Sequence, residues 1–457
     1  MILQIPQLEN LGNQETKRLV DYTVKDILKL EVAPALGCTE PAAIALCSAA
    51  AAHLVTRDEI SQIEVWLDPN LYKNAMGVAI PSADGGYGVD LAAAMGVFGG
   101  DPTQKLEIFN AISEDAVKKA KKLVIDGGVN INLMEKQQGL YIRVKITAGE
   151  NTAEAIIQNY HDNIVSLSLN DVPVSDHHLV KVSRDEQSAV QKLEGWLKEL
   201  TLEKLIGLLD SLDDEDLKFI EKGISYNTAL AEYGMSKGCG LGIGLTINRL
   251  IAEGMLKRDI MLDASMLTAA AADARMSGAK LPAMSSAGSG NHGLMAILPI
   301  WAAKDYVTCD DTRKVLKAIA LSHIITAYMK SYTGRLSAVC GCSIAAGAGA
   351  AAGITYLLNG DRTHIAGAIK NLIGDLAGVI CDGAKNSCSL KLATAARTAV
   401  QSALFSLHGV TVSDTDGIIS PTAEQTIKNV GDLSTQGMIE ADRTILKIMI
   451  SKKLSEA

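Results

Sequence analysis

From about residue 185 to the C-terminus, apolar residues recur at helical spacing in one segment after another, and this long run limits what the chain can fold into. The segments are Val190–Leu200, Thr201–Ser211, Asp214–Lys222, Thr246–Glu253, Met261–Arg275, Thr312–Met329, Thr363–Leu372, Leu390–Leu407 and Thr422–Glu440. Aromatic residues are only 4% of the chain. The core is therefore expected to be aliphatic, with alanine and glycine letting helices approach closely. Upstream the period changes. Ile63–Leu67, Val129–Leu133, Leu140–Ile146, Ala153–Asn159 and Ile164–Leu169 alternate as strands do, with Gly149–Asn151 as a hairpin connection and helical stretches at Leu91–Val97 and Glu114–Ile125. Before them come a helix over Thr16–Leu30 and a second starting after Glu40, with Pro41 at its first position and Thr39 or Glu40 as cap.

The expected fold is thus α+β, a large all-helical domain with an inserted smaller α/β domain. Residues 1–58 are expected to form N-terminal helices packed on the helical domain. Residues 59–175 form the α/β domain and 185–457 the helical catalytic domain, with a charged stretch from Asp176 to Lys198 leading into the latter. No fixed-period repeat is present.

With 48% hydrophobic and 21% charged residues the composition is that of a soluble globular protein. The net charge of −9, and a longest basic run of Lys118-Lys119-Ala120-Lys121-Lys122 on an amphipathic pattern, argue against nucleic acid as a partner. The N-terminus lacks a basic region followed by a sustained apolar segment, so no secretory signal is expected. The uncharged stretch Leu336 to Gly360 is about half alanine and glycine, broken by two cysteines and a Gly-Ala-Gly, and reads as a loop and buried helix rather than a membrane span. A cytosolic protein, expected as a homodimer, follows. Its eight cysteines are then no disulfide framework.

Four stretches break the helical pattern. In Pro34–Pro41 a thiol, Cys38, precedes a helix N-terminus whose unpaired N–H groups are expected to lower its pKa, fitting a nucleophile, a metal ligand or a general base. A buried small thiol is the plain alternative. Ser285–Gly293 mixes glycine with Ser286, Ser289, Asn291 and His292 before a helix, a loop able to present N–H groups to an anion, or simply a flexible connection. Gly238–Gly244 has dinucleotide-like glycine spacing but no surrounding βαβ unit. Cys340-Gly341-Cys342 and the Cys381…Cys388 loop each lead into a helix, and thiolates gathered there can hold zinc or an iron–sulfur cluster. Cys47, Cys239 and Cys309 read as buried thiols.

Taken together, EVAPALGCTEPAAIAL, GSGNHG, SAVCGCSIAAGAGAAAG and CDGAKNSC resemble the L-cysteine desulfidases, a family related to the alpha chain of the iron–sulfur L-serine dehydratases. The resemblance spans nearly the whole chain. It implies a lyase that eliminates the β-sulfur of L-cysteine, leaving pyruvate, ammonia and sulfide. It also implies a [4Fe–4S] cluster held by three cysteines, with one iron open to substrate. Cys381 and Cys388 match two ligands; the third is Cys340, with Cys342 as the alternative. Cys38 matches the base that takes the α-proton, and Thr39, Glu40, Ser286, Ser289, Asn291 and His292 are the expected substrate-binding residues. Two departures from the serine dehydratases stand out. The sequence ends Ser451–Ala457 without the cysteine that can cap the fourth iron, and no Ser-Ser-Ser-His segment stands at the N-terminal position. The rival readings are an L-serine dehydratase of the same chemistry, a non-catalytic zinc or iron–sulfur redox sensor, and a pyridoxal phosphate lyase, for which no phosphate cup is found.

Overall fold

The computed structural model describes residues 21–137, 139–180, 184–307, 311–335 and 337–452. The described residues begin with α1 (Val24–Glu31), β1 (Pro34–Leu36) and α2 (Thr39–Ala52). Next come β2 (Ile60–Leu67), α3 (Pro69–Ala75), α4 (Val89–Gly99), α5 (Glu114–Ile125), β3 (Val129–Leu133), β4 (Tyr141–Ala148), β5 (Asn151–Gln158), β6 (Ile164–Leu169) and β7 (Val172–Pro173). The helical remainder contains α6 (Arg184–Lys198), α7 (Leu202–Gly207), α8 (Asp214–Lys237), α9 (Ile243–Ala252) and α10 (Ile260–Met276). After β8 (Pro282–Met284) follow α11 (Gly290–Ala303), α12 (Thr312–Thr333), α13 (Gly347–Leu357), α14 (Arg362–Leu376), α15 (Cys388–Leu407), α16 (Ala423–Asp432) and α17 (Ile439–Ser451). The fold is α+β, as the two periodicities imply.

The larger sheet has the order β3-β2-β4-β5-β6-β7, with β2 and β3 parallel and every other pair antiparallel. On β4 and β5 alternate residues are buried, including Ile142, Val144, Ile146, Ala153, Ala155 and Ile157, so one face is apolar and needs a cover. That cover is α2 with α4 and α5, and together they form one aliphatic core. A second core lies among α6–α8 and α10–α16, where Tyr328 is the largest fully buried side chain. Small residues bring these helices together: a Cβ at Gly96 of α4 would meet the Ala45 carbonyl oxygen of α2 at 2.2 Å, and one at Gly234 of α8 would meet that of Ala270 in α10 at 2.0 Å.

Two expectations need correcting. The N-terminal helices do not both pack on the helical domain. α1 joins the helical core through Val24, Ile27 and Leu28, whereas α2 lies in the α/β core. Every residue of α2 except Glu40 is buried, so no polar face directs it toward one domain, and the open face of the sheet claims it. The segment Thr422–Glu440 is also not one helix. A π turn at Leu433–Gly437 separates α16 from α17, which turns back onto α3. The expected helix from Thr16 and the thiol at Cys309 fall partly or wholly outside the described residues. Among those described, no helix is long and apolar enough to cross a membrane.

Asp68 joins α3 to the sheet. One carboxylate oxygen accepts the Asn70 and Leu71 N–H groups at 3.0 Å, capping α3, and the other accepts the Tyr141 N–H at 2.9 Å at the start of β4. Burial raises this carboxyl to about 6 against those three donors. Asp68→Ala leaves one buried and two half-buried N–H groups without their acceptor. It should cost about 2–3 kcal/mol in urea unfolding followed by circular dichroism, the sum of a lost cap and an unmet donor.

Candidate active site

The Cys38 turn and the glycine-serine loop are far apart in sequence, and a two-stranded sheet joins them. β1 pairs antiparallel with β8 in the register Pro34↔Met284, Ala35↔Ala283, Leu36↔Pro282. The contact continues beyond the strands: the Ser285 N–H donates to the Ala33 carbonyl at 2.8 Å, its hydroxyl donates to the same carbonyl at 2.6 Å, and the Ala287 N–H donates to Glu31 at 2.8 Å. The two strands thus deliver the N-termini of α2 and α11 to one place. Gly37, at φ +69°, makes the turn that sets Cys38 at the cap of α2, where a Cβ would collide with Pro81 at 2.7 Å.

The cysteine segments are tied to each other in the same way. The Cys340 N–H donates to the Val379 carbonyl at 2.8 Å and the Cys381 N–H to that of Ala338 at 2.7 Å, an antiparallel Val339–Ile380 bridge that ties the two segments together with one cysteine at each end of it. Cys342 opens the turn leading into α13, and Cys388 is the first residue of α15. The loop between Cys381 and Cys388 is braced by Asp382, paired with Lys385 at 2.5 Å and with Lys391. Lys391 also donates to the Ile380 carbonyl at 2.8 Å. Four helix N-termini therefore meet here, those of α2, α11, the turn before α13, and α15. Their uncapped N–H groups and dipoles favour negative charge.

They enclose a cavity of about 390 Å³ lined by Cys38, Cys340, Cys342, Cys381 and Cys388 together with Glu40, Ser289, Asn291 and His292. The α/β unit closes the other side with Asn159, Tyr160 and His161 from the β5–β6 turn. Two expected residues do not reach the cavity wall. The Ser286 hydroxyl is fully buried against His323 Nδ1 at 2.9 Å, so this residue acts through its carbonyl, which accepts from His292. Thr39 is buried and donates to Glu40 Oε2 at 3.1 Å. Lys385 is taken up by Asp382, and Lys280 is exposed. Of the plain thiols, Cys47 is buried with its S–H on the Ala155 carbonyl at 3.3 Å, and Cys239 lies outside the cavity lining.

The sequence reading missed the cavity's cations. Arg275 and Lys330 are 3% and 4% exposed, and both line the cavity. Arg275 donates to the Gly37 carbonyl at 2.7 Å and to Asn291 Oδ1 at 2.9 Å. Lys330 donates to Ser337 Oγ at 3.3 Å, and burial lowers its pKa to about 8, while the nearby Cys381, Cys342 and Cys340 act to raise it. Arg335, also at the wall, pairs with Glu31 at 2.7 Å and Glu194 at 3.4 Å, joining α1 and α6 to the cavity rim.

These surroundings set the state of each titrating group. His292 Nδ1 lies 3.1 Å from the Ser286 carbonyl, which can only accept, so Nδ1 carries the proton. Burial, with Lys330 nearby, lowers His292 to about 3 and keeps it neutral. Its Nε2 is then a free acceptor at the Cys340–Cys342 turn, where a Cβ at Gly341 would fall 2.4 Å away. The expected lowering of Cys38 is not found. Burial pushes its thiol up to about 12, reinforced by Glu40 and Cys388 and opposed by Arg275. The helix dipole contributes about 1 kcal/mol at such a position, less than full desolvation of a thiolate. Cys340 is held low by hydrogen bonds from Cys342 and Ser343, whereas burial raises Cys381 and Cys388, the latter to about 11.

The donor set fits an iron–sulfur cluster. Four soft thiols line the cavity, with Lys330, Lys391, Lys73 and Lys385 placed so that their charges favour the thiolate forms. Among the described residues no three His, Cys, Asp or Glu side chains stand close enough to share a single ion.

Comparison with known proteins gives the family. Residues 103–447 match the model of the serine dehydratase alpha chain, a span that contains the cysteine segments and His292 but begins beyond Cys38. A UPF0597 protein of Desulfatibacillum aliphaticivorans is 55% identical over 95% of this chain and 99% of its own length. One of Desulfotalea psychrophila is 54% identical over 94% and 99%. A more distant relative in Clostridioides difficile is 41% identical over 93% and 98%.

Proposed function

We propose, from the premise that this chain belongs to the serine dehydratase alpha-chain family, that it is an amino-acid lyase carrying a [4Fe–4S] cluster on Cys340, Cys381 and Cys388, and that it eliminates sulfide from L-cysteine. The observation that carries this reading is the gathering of Cys38, the α11 N-terminus and the cysteine pairs around one cavity.

Bound there, the cluster would supply an open iron site as a Lewis acid for the leaving heteroatom. The chain's own residues do the rest. Glu40, at the cavity wall, accepts the substrate ammonium. The uncapped N–H groups at the start of α11 and the Ser289 hydroxyl face the negative charge that develops as the α-proton leaves. Cys38 removes that proton, the C–S bond breaks, and sulfide departs. Lys330 sets a positive charge beside the Cys340–Cys342 turn, where the departing anion is best balanced, and His292 Nε2 accepts a hydrogen bond there. The aminoacrylate released tautomerises and takes up water, giving pyruvate and ammonia. The free thiols of the described cysteines suit a reducing cytosol, and a homodimer is the assembly proposed.

The description of the matching family favours a second reading, dehydration of L-serine by the same residues. Anaerobic purification with iron and acid-labile sulfide analysis, then assays of L-cysteine and L-serine side by side, separates the two. Sulfide with pyruvate from cysteine is the expected result. Turnover of serine alone transfers the function to dehydration, and neither cluster nor turnover after reconstitution removes it.

A further inference from the structure

Among the described residues, Arg275 is a buried cation with no carboxylate partner. It lies in the last turn of α10, 3% exposed, and it donates to the neutral Gly37 carbonyl and Asn291 Oδ1, with the Cys38 thiol also within hydrogen-bonding reach. A guanidinium carries five N–H donors, and here Nε has no partner. No carboxylate among the described residues forms an ion pair with it, and Cys38 beside it is held by burial as a neutral thiol. A buried charge left in this state is costly unless the site is built to receive its counter-ion.

The surroundings say where that counter-ion sits. Arg275 lines the cavity, and Nε lies against the start of α11, where a Cβ at Gly290 would fall 2.3 Å from it. The free N–H groups of that helix end and the guanidinium edge therefore serve the same region. Arg275 also holds Gly37, the residue before Cys38, so an anion on the guanidinium lies one short step from the Cys38 thiol.

We propose that Arg275, with the α11 N-terminus, binds the α-carboxylate of the substrate and restricts this site to free α-amino acids, rejecting amides, esters and peptide-linked residues. This rests on the lyase reading above, and it adds the group that selects the substrate class. A carboxylate fixed here sets the α-carbon, one bond away, toward Cys38, so the same residue governs binding and the direction of proton removal.

The test is calorimetric binding of L-alanine and of L-alaninamide to the anaerobically purified full-length protein, neither ligand having a leaving group. Wild type should prefer alanine, and Arg275→Gln should weaken alanine about 100-fold while barely changing the amide, as expected for loss of a charge-assisted pair. Iron content and the visible spectrum should stay as in wild type, and Arg275→Lys should fall between. Asn291→Asp is the second variant, because it gives Arg275 an internal counter-ion without removing it, and it too should abolish the preference. An unchanged alanine preference in either variant overturns the proposal, as does a wild type that turns over cysteine but shows no such preference. A preference that depends on Arg275, in a protein that turns over neither cysteine nor serine, keeps the carboxylate site and removes the lyase reading instead.

Discussion

Serine in place of Cys381 or of Cys388 should leave a protein unable to hold its cluster. Iron and acid-labile sulfide after anaerobic reconstitution should fall below about a tenth of wild type, and turnover by at least about 10³-fold, because a hydroxyl is a poor ligand for a soft iron centre. The adjacent position divides more finely. Cys340→Ser should behave like the other two, whereas Cys342→Ser should keep its iron. Cys340 is the thiol whose pKa is lowered by hydrogen bonds from Cys342 and Ser343, and its backbone is bonded to the Cys381 segment. Cys342 is a donor toward it and is raised by that role, which a serine hydroxyl can reproduce. The reverse pattern, iron lost with Cys342→Ser and kept with Cys340→Ser, exchanges the two assignments. Full iron and sulfide in Cys381→Ser or Cys388→Ser removes the ligand set altogether.

Each strand of the six-stranded sheet with a buried face was legible because alternation is a property of the segment itself: Ile63, Val65 and Leu67 point inward whatever they pair with. β1 and β8 were not. Three residues each, they pair across nearly 250 positions, and nothing within Pro34–Leu36 announces a partner at Pro282–Met284. α2 was recognised as a helix but placed on the wrong core, because a helix apolar all round carries no direction. In the site, the cysteines stood out as a rare residue type in glycine-broken turns. Arg275 and Lys330 did not, because each occupies the last turn of a helix, where a basic residue suits the dipole and needs no other explanation. The fold turns those two helix ends inward. The pKa expected for Cys38 failed for a related reason: the helix terminus was visible in the sequence, but the burial that outweighs it depends on distant segments packed into the same cluster.

That burial sharpens what Cys38→Ala should do. The variant should keep wild-type iron and sulfide, since Cys38 is not among the proposed ligands, and should lose about 10³–10⁴-fold in turnover, the range for removing a general base. Cys38 lines the cavity, so the lost Sγ widens that cavity slightly, costing about 1 kcal/mol and leaving the protein folded, and the loss reads as chemistry. A base must be deprotonated to act, and burial raises this thiol to about 12. Turnover in the wild type should therefore climb with pH through the neutral and alkaline range, while the residual activity of Cys38→Ala should lack that climb. Exchange of the α-proton of L-alanine with deuterated solvent isolates the step from departure of the leaving group; wild type should catalyse it and the variant should not. Near-normal turnover with exchange intact would pass the base to His292, whose neutral Nε2 is the other acceptor at the wall. His292 is lowered to about 3, so a reaction run by that residue would lack the climb, and the exchange measured in Cys38→Ala decides between the two bases.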